Sequence, residues 1–336
     1  MQRLLIAIVL FLLAGCASFN TARVETLSGE AMGTTWKVKF VHDKNSPGLQ
    51  ELQNGIQTQL DTVDAQMSTW KSDSDLSRFN NAPAGTWQTL PSELFAVLEK
   101  SLNLAKETNG AYDPTVGPLV NLWGFGPGLK TRTAPDASSL ANARALVGWH
   151  RIELDVAQHR ALQPGGSYVD LSSIAPGFAV DQISRYLESL GLQHFLVEHG
   201  GELRARGHRP GNSGWRVGIE QPDTDTDAGM AMVIVLDNRA SGSSGDYRKF
   251  YELDGKRYSH HIDPRTGAPV THALASVTVI ADDCMTADST AAALSILGPQ
   301  EGLEYAQRHH VAALFLVRNV NGFTQSMTPE FRAARE

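Results

Sequence analysis

Five apolar or β-branched runs in the second half of this chain constrain its fold most. Phe195 to Glu198, Trp215 to Ile219, Met230 to Leu236, Leu274 to Ile280 and Val311 to Val317 are strand-length, and Gly, Asp and Asn turns separate them. Helical patterns intervene without a regular βαβ beat. Trp36, Val38 and Phe40 alternate with Lys37 and Lys39, which predicts a half-buried strand. Leu52, Ile56, Leu60, Val63 and Met67 recur at helical spacing and predict a helix packed on it. Further helices are predicted from Ser92, as N-cap, to about Thr108, closed by Asn109-Gly110, and from near Pro176 to Leu190, closed by Gly191. One more runs from about Met285 to Leu297, and another starts at Pro299. Irregularly interspersed strands and helices predict the α+β class with a largely antiparallel sheet. Ser and Gly crowd Ser241 to Asp246 ahead of a predicted strand, and Gly200-Gly201 follows the Phe195 strand as a close-approach turn.

The first residues read as a leader. Leu4 to Leu13 are ten unbroken apolar residues after Arg3. As a helix they span about 15 Å, half of a bilayer core of roughly 30 Å, so residues 1–15 read as a signal peptide. Leu13-Ala14-Gly15-Cys16 resembles a bacterial lipobox, which makes Cys16 the acylated residue and the membrane attachment. An ordinary secretory signal ending near a cysteine is the alternative. Ala17, in place of Asp, favours the outer membrane in the lipoprotein sorting pattern, so the expected location is the periplasmic side of a bacterial membrane. Small and polar residues make 16–28 a tether, and the globular domain is expected over 29–336.

Cys16 and Cys284 are the only cysteines, so lipidation of the first leaves no intrachain disulfide, and stability must come from the core. A net charge of −7 without any lysine or arginine run argues against a nucleic-acid partner. The only low-complexity segment is the Asp223 to Asp227 turn, where Asp alternates with Thr.

Five segments carry the chemistry. They are Ala31-Met32-Gly33-Thr34-Thr35; Met67-Ser68-Thr69-Trp70 with Asp75-Leu76-Ser77-Arg78-Phe79-Asn80; Asp113 to Leu119; Asp170 to Asp181; and the region from His260 to Asp288. Together, in this order, they resemble the ApbE family, the FAD:protein FMN transferases, with its T-fold-like architecture. The resemblance implies transfer of FMN from FAD to a threonine hydroxyl of a partner protein through a phosphodiester, with release of AMP and a need for magnesium. It further implies acceptors among the flavin-bearing subunits of sodium-translocating NADH:quinone reductase or Rnf complexes. A Mg-dependent FAD pyrophosphatase and a non-catalytic flavin-binding lipoprotein are the competing readings, and the choice between Mg²⁺ and Mn²⁺ stays open.

Residue chemistry agrees with that implication. Cleaving a diphosphate calls for a cation on hard oxygen ligands, and Asp288, near the start of an apolar helix, is the side chain placed to hold one. Its plainer role is a first-turn carboxylate on a helix dipole. By resemblance the main-chain oxygen of Ser173 joins Asp288, and so does position 292. Here that position is Ala292, which has no side-chain oxygen where the family carries threonine, and Pro176 replaces a lysine. The resemblance also assigns FAD contacts to Met32, Trp70, Ala111, Tyr112, Asp113, Asp170, Pro176 and Ile262. Trp70 would stack on a ring of FAD or else pack in the core, and Asp113 and Asp170 double as turn residues. A base near neutral pH is expected at His260, with His261 an exposed strand residue on the opposite side. Arg265 would contact phosphate or brace Asp263.

Overall fold

The apolar runs at Trp36, Phe195, Leu274 and Val311 join one antiparallel sheet whose eight strands lie in strict chain order, while those at Trp215 and Met230 pair with each other as a separate hairpin. The computed structural model describes residues 22–127, 133–222, 229–247 and 249–335; the leader, Cys16 and the Asp223 to Asp227 turn lie outside them. The strands are β1 (Arg23–Ala31), β2 (Thr34–His42), β3 (Phe195–His199), β4 (Glu202–Arg206), β5 (Ala240–Gly245), β6 (Leu274–Ala281), β7 (Ala312–Asn319) and β8 (Gly322–Met327). Each pairs with the next, so β2 and β3 are neighbours despite the long insertion between them. The α+β class with antiparallel pairing holds.

Period-two alternation splits these strands between two cores, which explains why they read as continuous apolar runs. Val277 and Val279 of β6, with Ala313 and Phe315 of β7, face one side; Ile280, Ala312, Leu314 and Leu316 face the other. The first side is covered by α1 (Leu49–Met67), α3 (Ala175–Ser189) and α4 (Cys284–Arg308), with α2 (Ser92–Glu107) packed behind. The second side is covered by the Trp215–Glu220 and Met230–Leu236 hairpin and by Phe331 of the last helix. No described helix is long and apolar enough to cross a membrane.

Three expectations change. The folded part starts at Arg23, inside the segment read as tether, because Val24 and Leu27 alternate inward while β1 pairs along its whole length with β2. Pro91, not Ser92, caps α2: its carbonyl accepts the Phe95 N–H and Ser92 becomes the first helical residue. The Ser-Gly segment before a strand is itself the central strand β5. Its small residues let α4 press on the sheet, for a Cβ at Gly242 would stand 2.5 Å from the Asp288 nitrogen. The break between the helices that end at Leu297 and begin at Pro299 is present as Gly298, with φ of 85°.

α3 and α4 cap each other. Asp181 of α3 accepts the Cys284 and Met285 N–H groups of α4 at 3.0 and 2.9 Å and pairs with Arg204 of β4. One turn away, Asp288 Oδ2 of α4 accepts the Gly177 N–H of α3 at 2.9 Å. Gly177 permits the approach, since a Cβ there would meet the Cys284 carbonyl at 2.4 Å. Removing the Asp181 carboxylate leaves Arg204 and two helix N–H groups without their partner. Asp181→Ala is therefore expected to lower stability by about 3 kcal/mol, read as a lower urea midpoint at unchanged slope.

Candidate active site

The five chemistry-bearing segments meet at one end of the sheet. Met32 and Gly33 turn β1 into β2 with φ of 50° and 76°, and Gly200-Gly201 turn β3 into β4 with φ of 66° and 114°, the paired left-handed conformations of a two-residue hairpin. These tips lie side by side: the Gly200 N–H reaches the Thr35 carbonyl at 3.1 Å, and the His199 ring lies 3.4 Å from the Ala31 carbonyl.

The Asp170 to Asp181 segment is the hub. Asn80 fastens both main-chain groups of Val169 at 2.8 Å, and the Asp170 N–H reaches the Pro114 carbonyl at 2.7 Å. Ser173 Oγ donates to the Tyr112 hydroxyl at 3.2 Å, and Gly177 binds Asp288 as described. Tyr112, Asp170, Ser173, Pro176 and Asp288 are thereby brought together. Burial pushes the Tyr112 hydroxyl up to about 12, so it stays protonated.

Other expected site residues take structural duties. Both Asp113 oxygens are engaged, one by the N–H and hydroxyl of Thr115 at 2.8 and 2.7 Å, the other by the Trp149 N–H at 2.9 Å. Burial still raises its pKa. Asp170 Oδ1 accepts from the N–H and hydroxyl of Ser172, so both aspartates brace turns, Asp170 with one oxygen only. Ala111 is buried in the core under α4, and Ile262 is buried with Leu119, Trp123 and Tyr258. Ala292 packs with Tyr112, Leu104 and Ala105 and offers no oxygen. Trp70 is 62% exposed, which excludes core packing and leaves its ring open to stack on a ligand. Arg265 holds Asp263 at 3.0 Å and Glu301 at 2.9 Å, the bracing alternative.

The two histidines depart from the sequence reading. His260 and His261 sit between short strands ending at Ser259 and starting at Ile262, so strand alternation does not govern them, and their rings touch at 4.1 Å. His261 is buried, not exposed, and its Nε2 meets the Ser244 hydroxyl at 3.0 Å. His260 is half-buried and its Nδ1 lies 3.0 Å from the Lys249 carbonyl. Only a protonated nitrogen can face a carbonyl, so Nε2 is the free base. Burial and the Lys249 charge push His260 down to about 4, keeping the ring neutral near pH 7.

Sequence reasoning assigned no role to Glu202 or Lys249. Lys249 lies within electrostatic range of His260, His261, Asp288 and Glu202. Glu202 is a buried carboxylate whose pKa burial and Asp288 hold well above the ordinary range. Its signal was position: a Glu directly after a Gly-Gly hairpin turn.

Helix N-termini, buried carboxylates and a neutral imidazole gathered at one sheet end form the layout of an enzyme that works on a phosphorylated ligand. Residues 32–315 match the model of the ApbE family, and the chain belongs to that family. Among solved structures, the apo form of the Pseudomonas stutzeri flavinyl transferase ApbE superposes with a TM-score of 0.87 at 39% identity, over 94% of this chain and 97% of that one. The flavin transferase ApbE of Vibrio cholerae gives a TM-score of 0.86 at 36% identity, over 93% and 99%. A Haemophilus influenzae protein described as FAD:protein FMN transferase is 42% identical over 329 residues, 96% of this chain and 94% of its own length.

Burial raises Asp288 from 3.8 to about 7, with the Asp181 charge adding to the effect against the Gly177 N–H. The folded protein then holds a proton that the unfolded chain releases, so this group lowers stability as pH climbs from about 4 to about 7. Asp288→Asn is expected to melt higher than the metal-free parent at pH 8, with the gain fading towards pH 4 in a series of thermal melts.

Proposed function

We propose that this chain is an FAD:protein FMN transferase acting on a threonine hydroxyl of a partner protein. The observation that carries the reading is the mutual placement of Asp288, Tyr112 and the Ser173 turn at the N-terminus of α3. The acceptor oxygen bonds to the FMN-side phosphorus, the anhydride P–O bond breaks, and AMP leaves. The hydroxyl proton passes to His260 Nε2, the basic nitrogen left by the Nδ1 contact with the Lys249 carbonyl.

The donor set fits a divalent cation. Asp288 spends Oδ2 on Gly177, and Oδ1 accepts no hydrogen bond from a described residue. Ser173, with its main-chain oxygen, is the other proposed ligand, and Ala292 supplies none. No group of three or more His, Cys, Asp or Glu assembles among the described residues, which suits Mg²⁺, a cation commonly held by one or two carboxylates with substrate phosphates and water. When bound, it would neutralise charge on the diphosphate and leaving group. Trp70, Met32, Tyr112, Pro176 and the main chain at Ala111 and Ile262 are the proposed FAD contacts, with Asp113 and Asp170 holding their loops.

The natural acceptors on this reading are flavin-bearing subunits of sodium-translocating NADH:quinone reductase or Rnf type. Cys16 would anchor the protein on the periplasmic side of a bacterial membrane, the outer one by the Ala17 rule. Labelling cells with a fatty-acid probe should mark the parent and spare Cys16→Ser; equal labelling would remove the anchor.

Incubation with FAD, Mg²⁺ and an acceptor domain should yield an FMN-sized mass addition on threonine. His260→Ala is expected to slow labelling on the order of 10²-fold or more while FAD binding persists. FMN release without acceptor, at the rate seen with it, would mark a hydrolase instead. Tight FAD binding without turnover, unchanged in Asp288→Ala, would mark a flavin-binding protein.

A further inference from the structure

The register of β4 on β5 aims one more carboxylate at Asp288. Ala240 pairs with Arg204 and Ser241 with Leu203, where the ladder ends; the same register continued by one step sets Gly242 opposite Glu202. Directly opposed residues of an antiparallel pair share a face, about 5 Å apart. Gly242 faces α4 at the Asp288 nitrogen, and Glu202 therefore points at the same helical turn. The bare Cα at 242 lets α4 close on β5 at this step, with no side chain between strand and helix. Arg204, two residues along the same face, reaches Asp181 of the same helix pair, as this direction requires.

The two rungs differ in charge balance. At the outer rung Asp181 is matched by Arg204. At the inner rung Glu202 and Asp288 repel each other, and exposed Lys249 is the cation in electrostatic range. Glu202 is 8% exposed, and beyond its own N–H no described residue donates a hydrogen bond to its carboxylate. Its Oε2 lies beside the Gly200 tip, 3.3 Å from where a Cβ would stand, next to Thr34. A buried carboxylate aimed at another without a matched partner is costly unless a cation joins them. Ala292 supplies no hydroxyl from the helix, and Glu202 offers an oxygen from the sheet side.

We propose that Glu202 is a further oxygen ligand of the divalent cation seated by Asp288, contributed from the β3–β4 hairpin across Gly242. The inference rests on Asp288 being that seat.

Mn²⁺ binding to the FAD-free full chain, measured by calorimetry and by the Mn²⁺-induced rise in melting temperature, tests it on the parent, Glu202→Gln, Glu202→Asp and Asp288→Asn. Both Glu202 variants are expected to weaken Mn²⁺ binding by about tenfold or more. Glu202→Gln should also melt no lower than the metal-free parent, because it removes a like charge. Mn²⁺ affinity of Glu202→Gln within twofold of the parent, with Asp288→Asn impaired, overturns the Glu202 assignment alone. Parent-like affinity in Asp288→Asn overturns the seat itself, and the Glu202 role with it.

Discussion

Two helices that cap each other hold this structure in its working form. Asp181 of α3 takes the first N–H groups of α4, and Asp288 of α4 takes an N–H in the first turn of α3, so neither helix can shift without exposing the other's unmatched backbone donors. The contact is antiparallel and spans a single turn, which is why a glycine is needed at 177. The proposed cation seat hangs from this lock: the Ser173 turn precedes α3, the bare strand β5 lies beneath α4, and Arg204 ties α3 to the sheet. Asp288 thus serves as both cap and candidate cation ligand. Its two oxygens divide the work.

Much of the fold was legible because it rests on periodicity. The strands at Trp36, Phe195, Trp215, Met230, Leu274 and Val311 stand where their patterns place them, as do the four large helices and the break at Gly298. Elements that escaped were those whose side chains carry no apolar signal. β5 reads as a Ser-Gly loop because its residues are chosen for smallness under α4, and β4 alternates charges, of which Arg204 and Arg206 find partners only in the tertiary structure. β1 was hidden by its neighbourhood, since polar residues at a chain start read as tether unless the partner strand is known.

The site was legible as a set of positions and much less as a set of duties. Motif order named Asp288, Ser173 and Tyr112, which the fold brings together, and the turn role open to Asp113 and Asp170 and the bracing role open to Arg265 are the ones their hydrogen bonds show. His261 shows the limit: adjacent histidines were read by strand alternation, yet two short strands end and begin around them. Glu202 shows a different limit: its place after a Gly-Gly turn is visible in the sequence, its direction is not. Its aim depends on a register between strands far apart in sequence, and no local pattern encodes that.

The imidazole of His260 takes its heading from a main-chain carbonyl, which accepts both the ring Nδ1–H and the His260 amide. Side-chain identity at 249 therefore does not steer the ring, although its charge bears on the imidazole and on Asp288 alike. Aim and strength are set by separable parts of one residue. Mutational drift at this exposed position can retune how readily a proton is taken up without turning the lone pair that takes it.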